Sequence, residues 1–118
     1  MEPLNPVDLE RQIVETVNSI SNSIRKVSDA YDVWKTAELA FKADYAMAYM
    51  GAEGSIEDRK QMATLQTGAS ADELRIAEVK YKRLLDYQKA YRDKLSAFQT
   101  LQKSVSDAYR MAGRGEGA

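Results

Sequence analysis

The chain has 118 residues, 44% of them hydrophobic and 30% charged, with a formal net charge of −1, the length and balance of one soluble domain. It contains no cysteine and no histidine. Disulfides and thiolate chemistry are therefore excluded, and the commonest metal ligand and the side chain best suited to proton transfer near neutral pH are missing. No window approaches the roughly 18 uninterrupted apolar residues of a membrane span, and the first residues lack the charged-then-apolar pattern of a secretory signal. A cytosolic protein without a membrane partner is expected.

In chain order, Met1 to Asn5 read as a frayed terminus and Asn5-Pro6 as a helix start. Asn5 is a favoured N-cap, Pro6 suits the first helical position because its missing N–H costs nothing there, and Asp8 and Glu10 favour the positive end of the helix dipole. The first helix is expected over about 6–50, on the order of 65 Å at ~1.5 Å per residue.

Its apolar residues define a seam. Ile13, Val17, Ile20, Ile24, Val27, Tyr31, Trp34, Phe41, Tyr45 and Ala48 alternate in steps of four and three, interrupted at Glu38, a near seven-residue repeat that must be buried against another helix. At the interruption the pattern allows two readings: Glu38 lies in the seam as a specifier of register, or Ala37 takes its place. The weak stretch is Asn18 to Ser23, five of whose six residues are Asn or Ser with poor helix propensity, so fraying or a bend is expected there if the partner helix does not reach it. From Ala37 to Met50 small alanines alternate with Phe41, Tyr45 and Tyr49, a texture for close packing.

Glycines at 51 and 54 mark a loop over 51–55. Ser55 then reads as an N-cap, with Asp58 three residues on completing a shortened capping box. A loop this short makes antiparallel neighbours.

The second helix is expected over about 56–111, with a seam of Leu74, Ala77, Tyr81, Leu84, Gln88, Tyr91, Leu95, Phe98, Gln102, Val105, Tyr109 and Ala112, flanked by Leu85 and Leu101. Its doubtful turn is Thr67 to Ala71, where Gly68 costs about 1 kcal/mol in a helix and Ser70 with Glu73 forms a second capping-box pattern. Continuity is expected because Met62, Ala63 and Leu65 keep the apolar periodicity; a break would make three helices. Residues 113–118, rich in glycine, read as a flexible tail.

The fold class is thus all-α: a long antiparallel, coiled-coil-like helical hairpin forming a single domain over 6–112. One hairpin buries one stripe per helix and leaves its flanks wet, so self-association is expected. The candidate oligomerisation residues are Ile13, Val17, Ile20, Ile24, Val27, Tyr31, Trp34, Phe41, Tyr81, Tyr91, Leu95 and Phe98. Gln88 and Gln102 join Glu38 as polar residues that can fix register or subunit number.

Charge is divided along the chain. Residues 1–74 hold 13 acidic and 7 basic side chains, a balance of −6; residues 75–118 hold 5 and 10, a balance of +5. Folding back is expected to match part of the basic surface internally and leave the rest for an anionic partner. No phosphate loop, nucleophile–base pair or ligand cluster is present. The pairs Glu57-Asp58 and Asp72-Glu73 stand at helix starts, where capping explains them. No enzyme activity, cofactor or metal is expected.

The functional candidate is the run from Lys80 to Lys94. Lys80, Lys82, Arg83, Lys89, Arg92 and Lys94 outnumber Asp86 and Asp93, with tyrosines between them and Lys103, Arg110 and Arg114 beyond, extending the track toward the tail. Distributed positive charge for phosphates and flat faces for unpaired bases are what single-strand binding requires. Tyr81 and Tyr91 belong to the seam, leaving Tyr87 for stacking. The alternative is a solvated basic face paired with the acidic first helix.

The segments Ala40-Phe41-Lys42-Ala43-Asp44-Tyr45-Ala46-Met47-Ala48-Tyr49-Met50-Gly51, Gly54-Ser55-Ile56-Glu57-Asp58-Arg59-Lys60, Tyr81-Lys82-Arg83 and Leu95-Ser96-Ala97-Phe98-Gln99-Thr100-Leu101 resemble small helical proteins of tailed bacteriophages. Over about residues 30–110 the plan is similar to phage recombination mediators of the UvsY type, in helix order, loop position and texture. The resemblance implies a homo-oligomer, ring-like in form, that binds single-stranded DNA and helps load a recombinase onto strands coated by single-strand-binding protein. It also implies a location in the cytoplasm of an infected bacterial host. Lys80 to Lys94 is the carry-over for DNA contact. Two readings of other classes stand beside it: a protein-binding adaptor or inhibitor docking on a host enzyme, and a structural coiled-coil or virion component.

Overall fold

The computed structural model describes the backbone of residues 5–116 and the side chains of residues 5–113. Among the described residues there are three helices and no strand: α1 (Pro6–Gly51), α2 (Ile56–Gln66) and α3 (Gly68–Glu116). The all-α hairpin expected from the sequence is the observed fold. None of these helices is long and apolar enough to cross a membrane.

Local chemistry sets the helix ends. Asn5 Oδ1 accepts the Asp8 backbone N–H at 2.9 Å, satisfying one of the donors a helix start leaves orphaned. Of the terminus expected to fray, Met1 to Asn5, residues 1–4 lie outside the described residues and Asn5 is the cap. At the corner, the glycine in the left-handed region is Gly54, with φ 108°, whereas Gly51 is still helical. Ser55 Oγ accepts from the Asp58 N–H at 3.1 Å and Asp58 Oδ2 accepts from the Ser55 N–H at 3.2 Å, the reciprocal box that starts α2.

The second helix is not continuous as expected; it breaks at Thr67. Thr67 has φ −104° and ψ 17°, near the sparsely populated bridge region. Its hydroxyl donates to the Ala63 carbonyl at 2.7 Å, the oxygen that also accepts the Thr67 backbone N–H at 3.1 Å. Ala71 N–H still reaches the Thr67 carbonyl at 2.9 Å, so the backbone ladder resumes at once and the break is a kink without a loop. At the far end α3 extends to Glu116, past the expected end at Met111; residues 113–116, expected as part of a flexible tail, are helical, and 117–118 lie outside the described residues. The doubtful stretch 18–23 lies within unbroken α1. Hydroxyls there turn back on the helix, Ser19 Oγ to the Glu15 carbonyl at 3.0 Å and Ser23 Oγ to the Ile20 carbonyl at 2.6 Å, which keeps them from competing for alternative turns.

Two compact units divide the chain. The unit from Arg25 to Leu85 pairs the later part of α1 with α2 and the start of α3. Moving forward on α1 from Tyr31 to Asp44 moves backward on α3, from Tyr81 to Ser70: Tyr31 and Tyr81 meet edge to face at 5.3 Å and Ser70 Oγ donates to Asp44 Oδ2. Trp34 stacks on Tyr81 at 5.1 Å, with Lys35 Nζ 4.2 Å from the indole, an offset stack under a cation. Ala30, Ala63 and Ala77 are its buried apolar residues.

The other unit joins the residues up to Ile24 with those from Asp86 onward. Leu9 is its fully buried anchor, and Thr16, Ser23 and Gln88 are buried polar residues. Ile13 and Ile20 of α1 and Tyr91, Leu95, Phe98, Gln102 and Val105 of α3 are half-buried.

The α3 seam from Leu74 to Val105 is as expected, while Tyr109 and Ala112 are exposed. The α1 seam is corrected at alternate positions. Ile13, Ile20, Val27, Trp34, Phe41 and Ala48 are half-buried as expected, but the intervening row is Leu9, Thr16, Ser23, Ala30 and Ala37. Val17, Ile24 and Tyr31, one position later, are 42%, 57% and 45% exposed. Small side chains let two helix backbones approach closely, and the Thr16 and Ser23 hydroxyls bring their own hydrogen bonds, donating at 2.7 and 2.6 Å to carbonyls of their own helix, so they can be buried without the usual polar cost. Ala37 takes the seam place, while Glu38 stands beside it between Lys35 at 3.6 Å and Lys42 at 3.5 Å.

Candidate nucleic-acid interface

The α3 seam decides where the basic side chains go. With Ala77, Tyr81 and Leu84 turned inward, Lys80, Lys82 and Arg83 are exposed on the flanks of the Arg25–Leu85 unit, Lys80 and Arg83 on one side of the seam and Lys82 on the other. In the other unit Gln88, Tyr91, Leu95 and Phe98 turn inward. Tyr87 and Lys94 fall on one flank, and Lys89, Arg92 and Lys103 on the opposite one, all exposed. The candidates thus divide between two flanks in each unit and do not gather on a single face.

Tyr87 is 62% exposed, whereas Tyr81 and Tyr91 are half-buried in the seam, as the spacing predicts. A free phenol ring is available for base stacking at Tyr87 alone among these three.

The ion pairs correct one expectation. Among the described residues they join positions three or four apart on one helix, such as Arg25–Asp29 at 4.0 Å and Glu78–Lys82 at 2.8 Å. None joins the acidic first helix to the basic third. Carboxylates on α1 and cations on α3 both occupy solvent-facing positions, and the small-residue seam between the helices leaves no charged side chain to bridge it. Lys80, Arg83, Lys89, Arg92, Lys94 and Lys103 accordingly have no carboxylate within 4.0 Å among the described residues. Lys94 Nζ instead lies 5.6 Å from the Phe98 ring.

Of the twelve candidate oligomerisation residues, nine are used inside the chain: Ile13, Ile20, Val27, Trp34, Phe41, Tyr81, Tyr91, Leu95 and Phe98 are half-buried. Val17, Ile24 and Tyr31 are exposed and remain available to a partner. Sequence reasoning missed Val33 and Met47, exposed at 59% and 73%; both fall between the large residues of the seam, so the apolar repeat passes over them. Comparison of the chain with protein families, with curated proteins and with solved structures finds no match.

Proposed function

We propose that the chain is a non-enzymatic accessory protein of phage DNA recombination or replication, which self-assembles and binds single-stranded DNA, acting together with a recombinase or a single-strand-binding protein. The observation that carries the DNA reading is the set of exposed, carboxylate-free cations on α3, with Tyr87 exposed among them. Cations already neutralised by neighbours have little to offer a phosphate, whereas these release condensed counterions on binding a strand. Self-assembly is supported by the thin core: among the described residues the buried apolar side chains are Leu9, Ala30, Ala63 and Ala77, while Val17, Ile24, Tyr31 and Val33 are exposed. Binding of a labelled single-stranded oligonucleotide at low and moderate salt tests the DNA reading. Affinity that falls steeply with salt supports it; no binding, or binding indifferent to salt, overturns it.

The exposed pair Val17 and Ile24 also favours a second reading, a protein-binding adaptor that offers this face to a host enzyme or a virion component. Capture of a partner from nuclease-treated host lysate separates the two, because a protein contact survives that treatment and a DNA bridge does not. Loss of that capture in Ile24→Asp identifies the pair as the contact.

A further inference from the structure

A groove runs between α1 and α3 within the Arg25–Leu85 unit. Its floor is Ala30 and Ala77, both buried, with Val33 and Leu84 on its walls, and it continues along α1 past Ala37 and Ala40. Charges mark its two ends. Lys26 and Lys80 flank one end, Asp32 and Glu73 the other. All four side chains are exposed, and none takes part in an ion pair among the described residues. Lys80 and Glu73 are two helical turns apart on α3, about 10.5 Å, and Lys26 and Asp32 about 9 Å apart on α1, so the basic and acidic ends are matched in length on the two helices.

A surface with one basic end and one acidic end becomes complementary to itself after a half-turn about its middle, the requirement for a closed twofold contact. The middle here is Ala30 and Ala77, where the smallest side chains permit the closest helix approach. The geometry points to a second copy of this chain as the occupant. It lies antiparallel in the groove on a twofold axis beside Ala30 and Ala77, with Lys26 and Lys80 of each copy facing Asp32 and Glu73 of the other. The exposed Val33 of each copy then enters the apolar groove of its mate. Asp29, near the axis, already faces Arg25 of its own helix at 4.0 Å. Lys80 belongs to the copy-to-copy contact in this arrangement and drops out of the DNA track. The inference rests on the self-assembly proposed above and names its surface.

Charge reversal tests it, with mass in solution read by light scattering at micromolar concentration. Lys26→Glu with Lys80→Glu makes both ends acidic, and Asp32→Lys with Glu73→Lys makes both basic. Each double variant is expected to associate with itself at least roughly tenfold more weakly than wild type, because like charges now face each other. An equimolar mixture of the two is expected to restore a one-to-one complex. Helix content by circular dichroism identifies any variant that does not fold, and the single reversals Lys80→Glu and Glu73→Lys then carry the same test. A wild-type assembly whose mass is indifferent to the reversals overturns the groove contact alone. A wild-type chain that stays at 13.2 kDa overturns the groove contact and the self-assembly reading together.

Discussion

Gln88 Nε2 donates a 3.1 Å hydrogen bond to Ser23 Oγ, and both side chains are buried between α1 and α3. The Ser23 hydroxyl in turn donates to the Ile20 carbonyl at 2.6 Å, so its single proton is already committed and it receives Gln88 as an acceptor. The pair fixes one register of α3 on α1 in this unit, because a slide of either helix leaves a buried amide unpartnered. Removing one side, as in Ser23→Ala, is expected to cost about 1–3 kcal/mol. Ser23→Ala combined with Gln88→Leu is expected to cost less than the sum of the single changes by about 0.5–3 kcal/mol. Urea unfolding of the four chains measures this; additive losses contradict the pairing.

The corner between α1 and α2 depends on Gly54. Its φ of 108° is outside the range that side-chain-bearing residues favour, and a Cβ there would lie 2.9 Å from Asp58 Oδ2, a capping-box atom. Gly54→Ala is expected to destabilise the protein by ~1–2 kcal/mol, read as a lower urea midpoint. An unchanged midpoint would show that the corner does not need this conformation.

Gly68 predicts the opposite sign. It is the first residue of α3, next to the Thr67 kink, its φ is not positive, and an added Cβ meets nothing within 4 Å. Gly68→Ala is therefore expected to stabilise the chain by ~0.5–1 kcal/mol through the unfolded state and helix propensity. A drop in the thermal midpoint would mean that the kink needs freedom that alanine lacks.

Lys89, Arg92 and Lys103 stand on one flank of α3 and are exposed. Replacing Lys89 or Arg92 by alanine is expected to weaken oligonucleotide binding for all sequences alike and to lower the salt slope by about 1 for each lost phosphate contact. Titration at several salt concentrations checks this. Tyr87→Ala is expected to weaken binding by about 1–3 kcal/mol with the slope unchanged, because stacking carries no counterions. A slope unmoved by the cation changes removes this flank from the interface.

The parts of the fold that depend on neighbours in sequence were the most legible. The Asn5 cap, the Ser55–Asp58 box and the short corner are written in three or four consecutive residues, and the α3 seam in large side chains from Leu74 to Val105. The α1 seam was half legible. Every second member, Thr16, Ser23, Ala30 and Ala37, is small or hydroxyl-bearing and gives no hydrophobic signal, while Val17, Ile24 and Tyr31 one step later give a strong one and are exposed. Burial there follows helix approach and hydroxyl back-bonding, which side-chain size does not reveal. The kink at Thr67 hinges on one hydroxyl and one ψ angle, so an apolar period that runs through it conceals it. The exposure of the basic residues was legible, since they fall between seam positions. Their lack of partners on α1 was not, because charge totals carry no geometry.

Exposed apolar residues beside so few buried side chains among the described residues make self-assembly the central claim, and mass in solution by light scattering tests it most directly. At micromolar concentration the protein is expected at a multiple of 13.2 kDa, rising further when a single-stranded oligonucleotide is added. A mass that stays at one chain, with helix content intact, would contradict it.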